Sequence, residues 1–493
     1  MLAAFAAFSG CRTAGQKIAD SALSGKPACE TAALQAPDAG AVRPAEFTTP
    51  AGSEGAAAPG AESPDGPLRL PDPAERGEVV DAPPPRRLGV EALVAEAIAS
   101  HPRVGAARAR YAAASWRPVQ ARSLEDPLLS NNFFPISDHA LQTAGGRAGN
   151  TLSVSQKYPW PEKRDTRAAI ASREAQMAAA RLRAVELEIE ELVRLAYYEL
   201  WFADRAIRIG ERNREIAAEL VHLAEARNAA GGSRQDVLRA AVQVDNLDNR
   251  LIELRQQKAL AQADLAALLR RPDAAGIEPS ESVDCDAAIA DRDALFAAAV
   301  GCNPELIEAR WAASRDRQQQ RLACLAKRPD FVVGAAWQTI TESDAVSPVA
   351  NGHDNVSLSV GVTLPIWRDR IDAGIREASA SAAASSRDYH AKRDDALREI
   401  RRIDEQIEAA KEQLRLYEER FAPRAKQALE LAAADYRGRL VGFGEVTDGF
   451  SEVLLVELQA ARVEATLCGL VAQLRRAVGC DLLPPAEGER GSM

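Results

Sequence analysis

The chain repeats itself. His101-Pro102 opens a helical segment closed at Asp126-Pro127, Asn303-Pro304 opens another closed at Pro329-Asp330, and the spacings agree: 304 − 102 = 202 and 329 − 127 = 202. Arg108 and Arg310 keep this offset, as do Ala107 and Ala309. A repeat of this kind restricts the fold to two copies of one supersecondary plan. Proline at the first helical position forfeits no hydrogen bond, and proline beyond the end stops the helix, so the two segments are helices of equal length.

After each helix the periodicity switches from helical to alternating. Val356, Leu358, Val360, Val362 and Leu364 share one face of a strand, and Ser357, Ser359, Gly361 and Thr363 share the other. Its partner runs from Phe331 to about Ile340; in the first half the matching strands are Leu128 to Phe134 and Thr151 to Tyr158. Such lengths suit either a half-buried hairpin or strands that cross a bilayer in a barrel. Each hairpin closes on a proline-aromatic corner, Tyr158-Pro159-Trp160-Pro161 and Leu364-Pro365-Ile366-Trp367, which fits an interface belt.

A very long helix follows each corner, about residues 163 to 229 and 368 to 437. Leu182, Val185, Ile189, Leu192 and Ala196 make a coiled-coil seam in the first, and Ile400, Ile403, Ile407, Leu414, Tyr417 and Phe421 in the second. Pro423 should interrupt the second. Both helices stop at glycine turns, Gly231-Gly232-Ser233 and Gly438 to Gly444. Returning helices follow to about Leu269 and Val478, with Val244, Leu247, Leu251 and Leu254 as a seam in the first. The two halves span 88–285 and 286–480 and supply four strands, too few to close a barrel, so closure needs several chains.

The remaining sequence narrows the function classes. Lys plus Arg number 61 against 71 Asp plus Glu, a net charge of −10, which argues against nucleic acid as a partner. No run of about 18 apolar residues marks a helical span. Residues 1–11 end in Ser9-Gly10-Cys11 and read as a lipobox-like leader with Cys11 as the candidate lipidation site; 12–87 read as a disordered linker and 481–493 as a flexible tail. The histidines at 101, 139, 222, 353 and 390 have no ligand spacing, and no phosphate loop, nucleophile elbow or CxxC occurs. The chain therefore reads as no enzyme, with no cofactor and no metal site.

Together, in order and duplicated, the two proline-started helices, Ser155 to Pro161, Gly232-Ser233-Arg234-Gln235-Asp236-Val237-Leu238, and Tyr436 through Glu445-Val446-Thr447-Asp448 resemble the TolC family of outer-membrane efflux channels over about residues 88–480. The first corner is similar to that of members associated with metal-ion efflux. The resemblance implies a mainly α fold whose long coiled-coil helices form a periplasmic α-barrel, with four strands per chain contributing to a 12-stranded β-barrel in a homotrimer. It implies an outer-membrane location with most of the helical mass in the periplasm. It further implies a passive exit duct that docks to a periplasmic adaptor (membrane fusion) protein and an inner-membrane pump of the RND type.

Carried onto this sequence, the family's acidic periplasmic rings fall on Glu445 and Asp448, and its gate-closing contacts on Asp236, Tyr436 and Arg439. The adaptor-docking tips fall on Gly231, Gly232, Ser233, Val441, Gly442, Phe443 and Gly444, with Phe443 expected to be exposed. The resemblance also brings Cys302 and Cys480 together near the tunnel's equator, where a bridge and two free thiols are both open. The alternatives are the outer-membrane duct of a type I protein secretion system and a soluble coiled-coil scaffold; lipid exposure of the Val356 to Leu364 face separates the scaffold from the ducts.

Overall fold

Proline, periodic alanine and the glycine stops fix the helices of the computed structural model, which describes residues 86, 87, 89–133, 142–272, 277–283, 291–343 and 347–480. The leader with Cys11, the linker up to residue 85, Phe134 and the tail 481–493 lie outside the described residues. In chain order the elements of the first half are β1 (Arg86–Arg87), α1 (Val90–Ser100), α2 (Pro102–Arg122), β2 (Leu128–Phe133), β3 (Gln142–Thr143), β4 (Gly146–Tyr158), α3 (Pro161–Ala229) and α4 (Arg234–Leu269). Those of the second are β5 (Ile277–Glu278), α5 (Arg292–Cys302), α6 (Pro304–Leu325), β6 (Phe331–Thr341), β7 (Asn355–Val362), α7 (Arg368–Leu416), a π-helical turn (Tyr417–Phe421), α8 (Ala422–Arg437) and α9 (Phe443–Val478).

The repeat extends further than the proline marks. α1 and α5, which the sequence reading did not pick out, obey the same offset, since 292 − 90 = 202. His101 and Asn303 cap α2 and α6: the His101 side chain accepts from the Arg103 backbone N–H, and that of Asn303 from those of Glu305 and Leu306. Arg86–Arg87, assigned by composition to the linker, instead pair in parallel with Ile277–Glu278. Pro423 acts as expected, but the interruption is the π-helical turn just before it. Proline lacks an N–H and crowds the carbonyl one turn back, and a widened turn relieves that.

The long helices are held by small apolar clusters strung along their length. Around the equator Leu93, Ile189, Val193, Tyr197, Leu265 and Ala472 pack together, and beside them Leu295, Ile400, Ile403, Ile407 and Leu474. Each fully buried leucine, isoleucine or valine among them contributes about 1.5–3 kcal/mol before entropy is counted. In the seams Leu192 and Phe421 depart from expectation and are exposed. Gly479, at φ 91°, ends α9 against the last turn of α5; a Cβ there would lie 2.6 Å from the Cys302 carbonyl oxygen. That contact brings 302 and 480 into one neighbourhood, yet no disulfide joins Cys302 to Cys480.

Strands from the two halves join in one antiparallel sheet of order β2-β4-β6-β7, with β3 beside β4. β4 starts five residues earlier than its alternation suggests, because Gly146-Arg147-Ala148-Gly149-Asn150 pairs through backbone groups, around an irregularity between Ala148 and Thr151. An ion pair sits where sheet meets helices. Lys163 Nζ, in the first turn of α3, donates to Asp330 Oδ1 and to the Arg328 carbonyl, both at 2.8 Å, and the Trp160 N–H donates to the same Asp330 oxygen at 3.0 Å. Burial alone would raise the Asp330 carboxyl, but the Lys163 and Trp160 bonds outweigh it and hold the group below its usual range.

Candidate functional site: a two-faced sheet and a tied helical tip

The register sorts the sheet's residues by face. Tyr158–Phe331–Val362, Val154–Ala335–Leu358 and Leu152–Trp337–Val356 lie in rows across β4, β6 and β7, and Leu129 joins the second row from β2. The opposite face carries Ser130–Ser153–Ala336–Ser357 and Leu128–Ser155–Gly334–Ser359, polar but for Leu128 at the edge, with the Ser130 and Ser153 hydroxyls 2.7 Å apart. Apolar residues on the first face point outward: Leu358 is 84% and Val360 74% exposed. Large apolar side chains outside and hydroxyls inside invert a water-soluble sheet, and they match a barrel strand that faces lipid on one side and a wet lumen on the other. β2 and β7 end the sheet order, each bonded on one side. No helix among the described residues is long and apolar enough to cross a membrane.

At the far end of the helices the two glycine turns meet. Ser233 caps α4 by accepting from the Gln235 N–H, which sets Asp236 in the first turn; Gly231 takes φ 91° to reverse the chain. The Tyr436 hydroxyl, on the last turn of α8, donates to Asp236 Oδ2 at 3.0 Å. Burial, and then the Asp236 carboxylate that accepts its hydrogen bond, push the Tyr436 phenol up, so it stays a donor. Sequence and structure agree in bringing Tyr436 and Asp236 together.

The arginine differs from expectation. Arg439, at φ 65°, donates instead to the Ala230 carbonyl at 3.0 Å, while Arg227 stacks its guanidinium 3.9 Å above the Tyr436 ring and donates to the Val441 carbonyl at 3.4 Å. The sequence reading missed Arg227, although a cation in the last turn of α3 is the signal that could have marked it. Phe443 also differs: it is 2% exposed, edge-on to Tyr436 at 5.4 Å, and closes a cluster with Ala217, Leu220, Val446 and Phe450. Its flanking glycines give the turn, but that cluster takes the ring in. Leu440, 77% exposed, is the apolar side chain the second tip presents. Gly232 sits close under Arg227, Val441 is half-buried, and Gly442 caps α9 beside exposed Gly444. Glu445 and Asp448 are exposed, three residues apart on one face of the first turns of α9.

Residues 295–480 match the family model described as outer membrane efflux protein. The fold of both halves matches solved outer-membrane channels. VceC of Vibrio cholerae has a TM-score of 0.67 at 22% identity, covering 80% of this chain and 96% of that one. CusC, described for transmembrane channel formation, gives 0.67 at 15%, covering 82% and 96%. CmeC of Campylobacter jejuni gives 0.64 at 14%, covering 79% and 85%. No curated protein matches this sequence. The model description names an outer-membrane efflux protein for the second half of the chain, and the fold over both halves is that of solved outer-membrane channels.

Proposed function

We propose that three copies of this chain close a 12-stranded barrel, edge β7 of one against edge β2 of the next, and form the passive exit duct of a tripartite efflux system. The exposed apolar face of β7 carries the reading, because it has no favourable place in water and the coiled-coil scaffold would leave it there. At the periplasmic end, threefold copies of Glu445 and Asp448 make an acidic constriction that concentrates cations. Tyr436, Asp236 and Arg227 tie the two tips of each chain, so opening requires breaking their bonds. A periplasmic adaptor coupled to an inner-membrane pump docks on the tips, at Leu440 and the backbone around Gly231, Gly232, Ser233 and Gly442. Fractionation and native mass of the extracted protein test the duct: outer-membrane recovery as a trimer supports it, and a folded soluble monomer overturns it. In planar bilayers the Glu445→Ala, Asp448→Ala double variant should lose cation preference, and unchanged selectivity would remove the acidic ring.

A further inference from the structure

Where β7 hands over to α7, the apolar outer face does not stop at the strand. Leu364 continues the parity of Val356, Leu358, Val360 and Val362, and Leu364, Ile366 and Trp367 are 72%, 63% and 71% exposed. Below them lies a groove of about 340 Å³ between the end of α6 and the first two turns of α7. Ala323, Leu364, Trp367, Ile371 and Gly374 line it, and of its lining side chains only Arg370 is charged. Trp367, Arg370, Ile371 and Gly374 recur at helical spacing, so α7 turns one face toward the groove. The small residues Ala323 and Gly374 leave it open.

We propose that this groove holds one acyl chain of an anionic phospholipid, with the lipid phosphate on the Arg370 guanidinium. Three observations select lipid over a protein segment. The groove is continuous with the lipid-facing strand surface. Its rim is a tryptophan beside an arginine, the pair of side chains suited to the level where hydrocarbon gives way to headgroups. Asp372 is held by Lys327 at 3.3 Å, and the exposed Arg368 and Arg370 outnumber the one acid between them, Asp369, which leaves net positive charge for a phosphate. The bound lipid would act as a wedge under the barrel, filling the step between sheet and helices in each chain.

The inference rests on the outer-membrane duct reading, and its test separates the two. Full-length protein extracted in mild detergent and stripped of loose lipid is titrated with phosphatidylglycerol and with phosphatidylcholine of the same acyl chains, with native mass spectrometry counting bound lipid. The wild type should take one phosphatidylglycerol per chain, with a preference over phosphatidylcholine of about tenfold. Arg370→Gln should reduce that preference to near parity. Gly374→Leu should abolish binding of both lipids without clash, since a Cβ at 374 meets nothing within 4 Å. Should Gly374→Leu fail to assemble, Trp367→Ala outside the helix interior should weaken binding about fivefold. An oligomer from the outer membrane with no lipid at this stoichiometry, because a second copy covers the groove, overturns the inference alone. Undiminished binding in Gly374→Leu, or an unchanged headgroup preference in Arg370→Gln, also overturns it. A lipid-free soluble monomer overturns the duct reading with it.

Discussion

The sheet and the helical tip solve opposite problems with the same residue types. In the sheet, Leu358 and Val360 face out and Ser130 and Ser153 face each other across the inner side. At the tip, Tyr436 and Phe443 are sealed inside while Glu445 and Asp448 face out. Burial is always burial away from a particular solvent, and on the duct reading the two ends of this chain have different solvents. Hydrocarbon rewards the exposed leucine, whereas periplasmic water rewards the exposed carboxylate.

The largest expected effect attacks the sheet. Leu358→Arg should destabilise the membrane-embedded protein by about 3 kcal/mol, and Ser359→Arg on the inner face by less than about 1 kcal/mol, as read by urea unfolding in lipid vesicles. Equal effects would erase the difference between the faces. Next is the junction between the two regions. Asp330→Asn strands the Lys163 ammonium, which is 8% exposed, and should cost about 3 kcal/mol. Because the folded carboxyl sits below its usual range, the wild-type contribution is full above the unfolded pKa of about 3.9 and fades as pH falls through the lower folded value. Acid unfolding of the two proteins should therefore converge at low pH.

Smaller effects belong to the tip. Tyr436→Phe keeps the stack on Phe443 and Arg227 but removes the bond to Asp236, at a cost of about 1–2 kcal/mol. Hydrogen exchange should speed up around residues 230–240 and leave the sheet unchanged; acceleration spread over both regions would dissolve the contrast. Arg439→Ala should be weakest, about 0.5 kcal/mol, since its bond to Ala230 is exposed.

Much of this was legible because it is local. Proline starts, helical spacing and the alternation from Val356 to Leu364 announce themselves within a few residues, and the repeat doubles each signal. β4 was cut short because residues 146–150 pair through backbone and offer no alternating side chains. Phe443 was misjudged because glycine neighbours advertise a turn, whereas its burial depends on Ala217 and Leu220, more than two hundred residues away. Arg227 was overlooked for the same reason: its value lies in the Tyr436 ring it covers. Tyr436 and Asp236 were found only through the family resemblance, since nothing local links residues 200 apart.

The π-helical turn at Tyr417–Phe421 has a counterpart nowhere along α3, which runs unbroken from Pro161 to Ala229. One added residue advances a helix by about 100° of azimuth. Above the turn, Ile400, Ile403 and Ile407 address α5 and the end of α9; below it, Ala425 addresses Val453 and Val456, nearer the start of α9. The second long strut of the chain thus carries a phase slip that the first lacks, and a rotation of its upper part need not arrive at the tip as the same rotation.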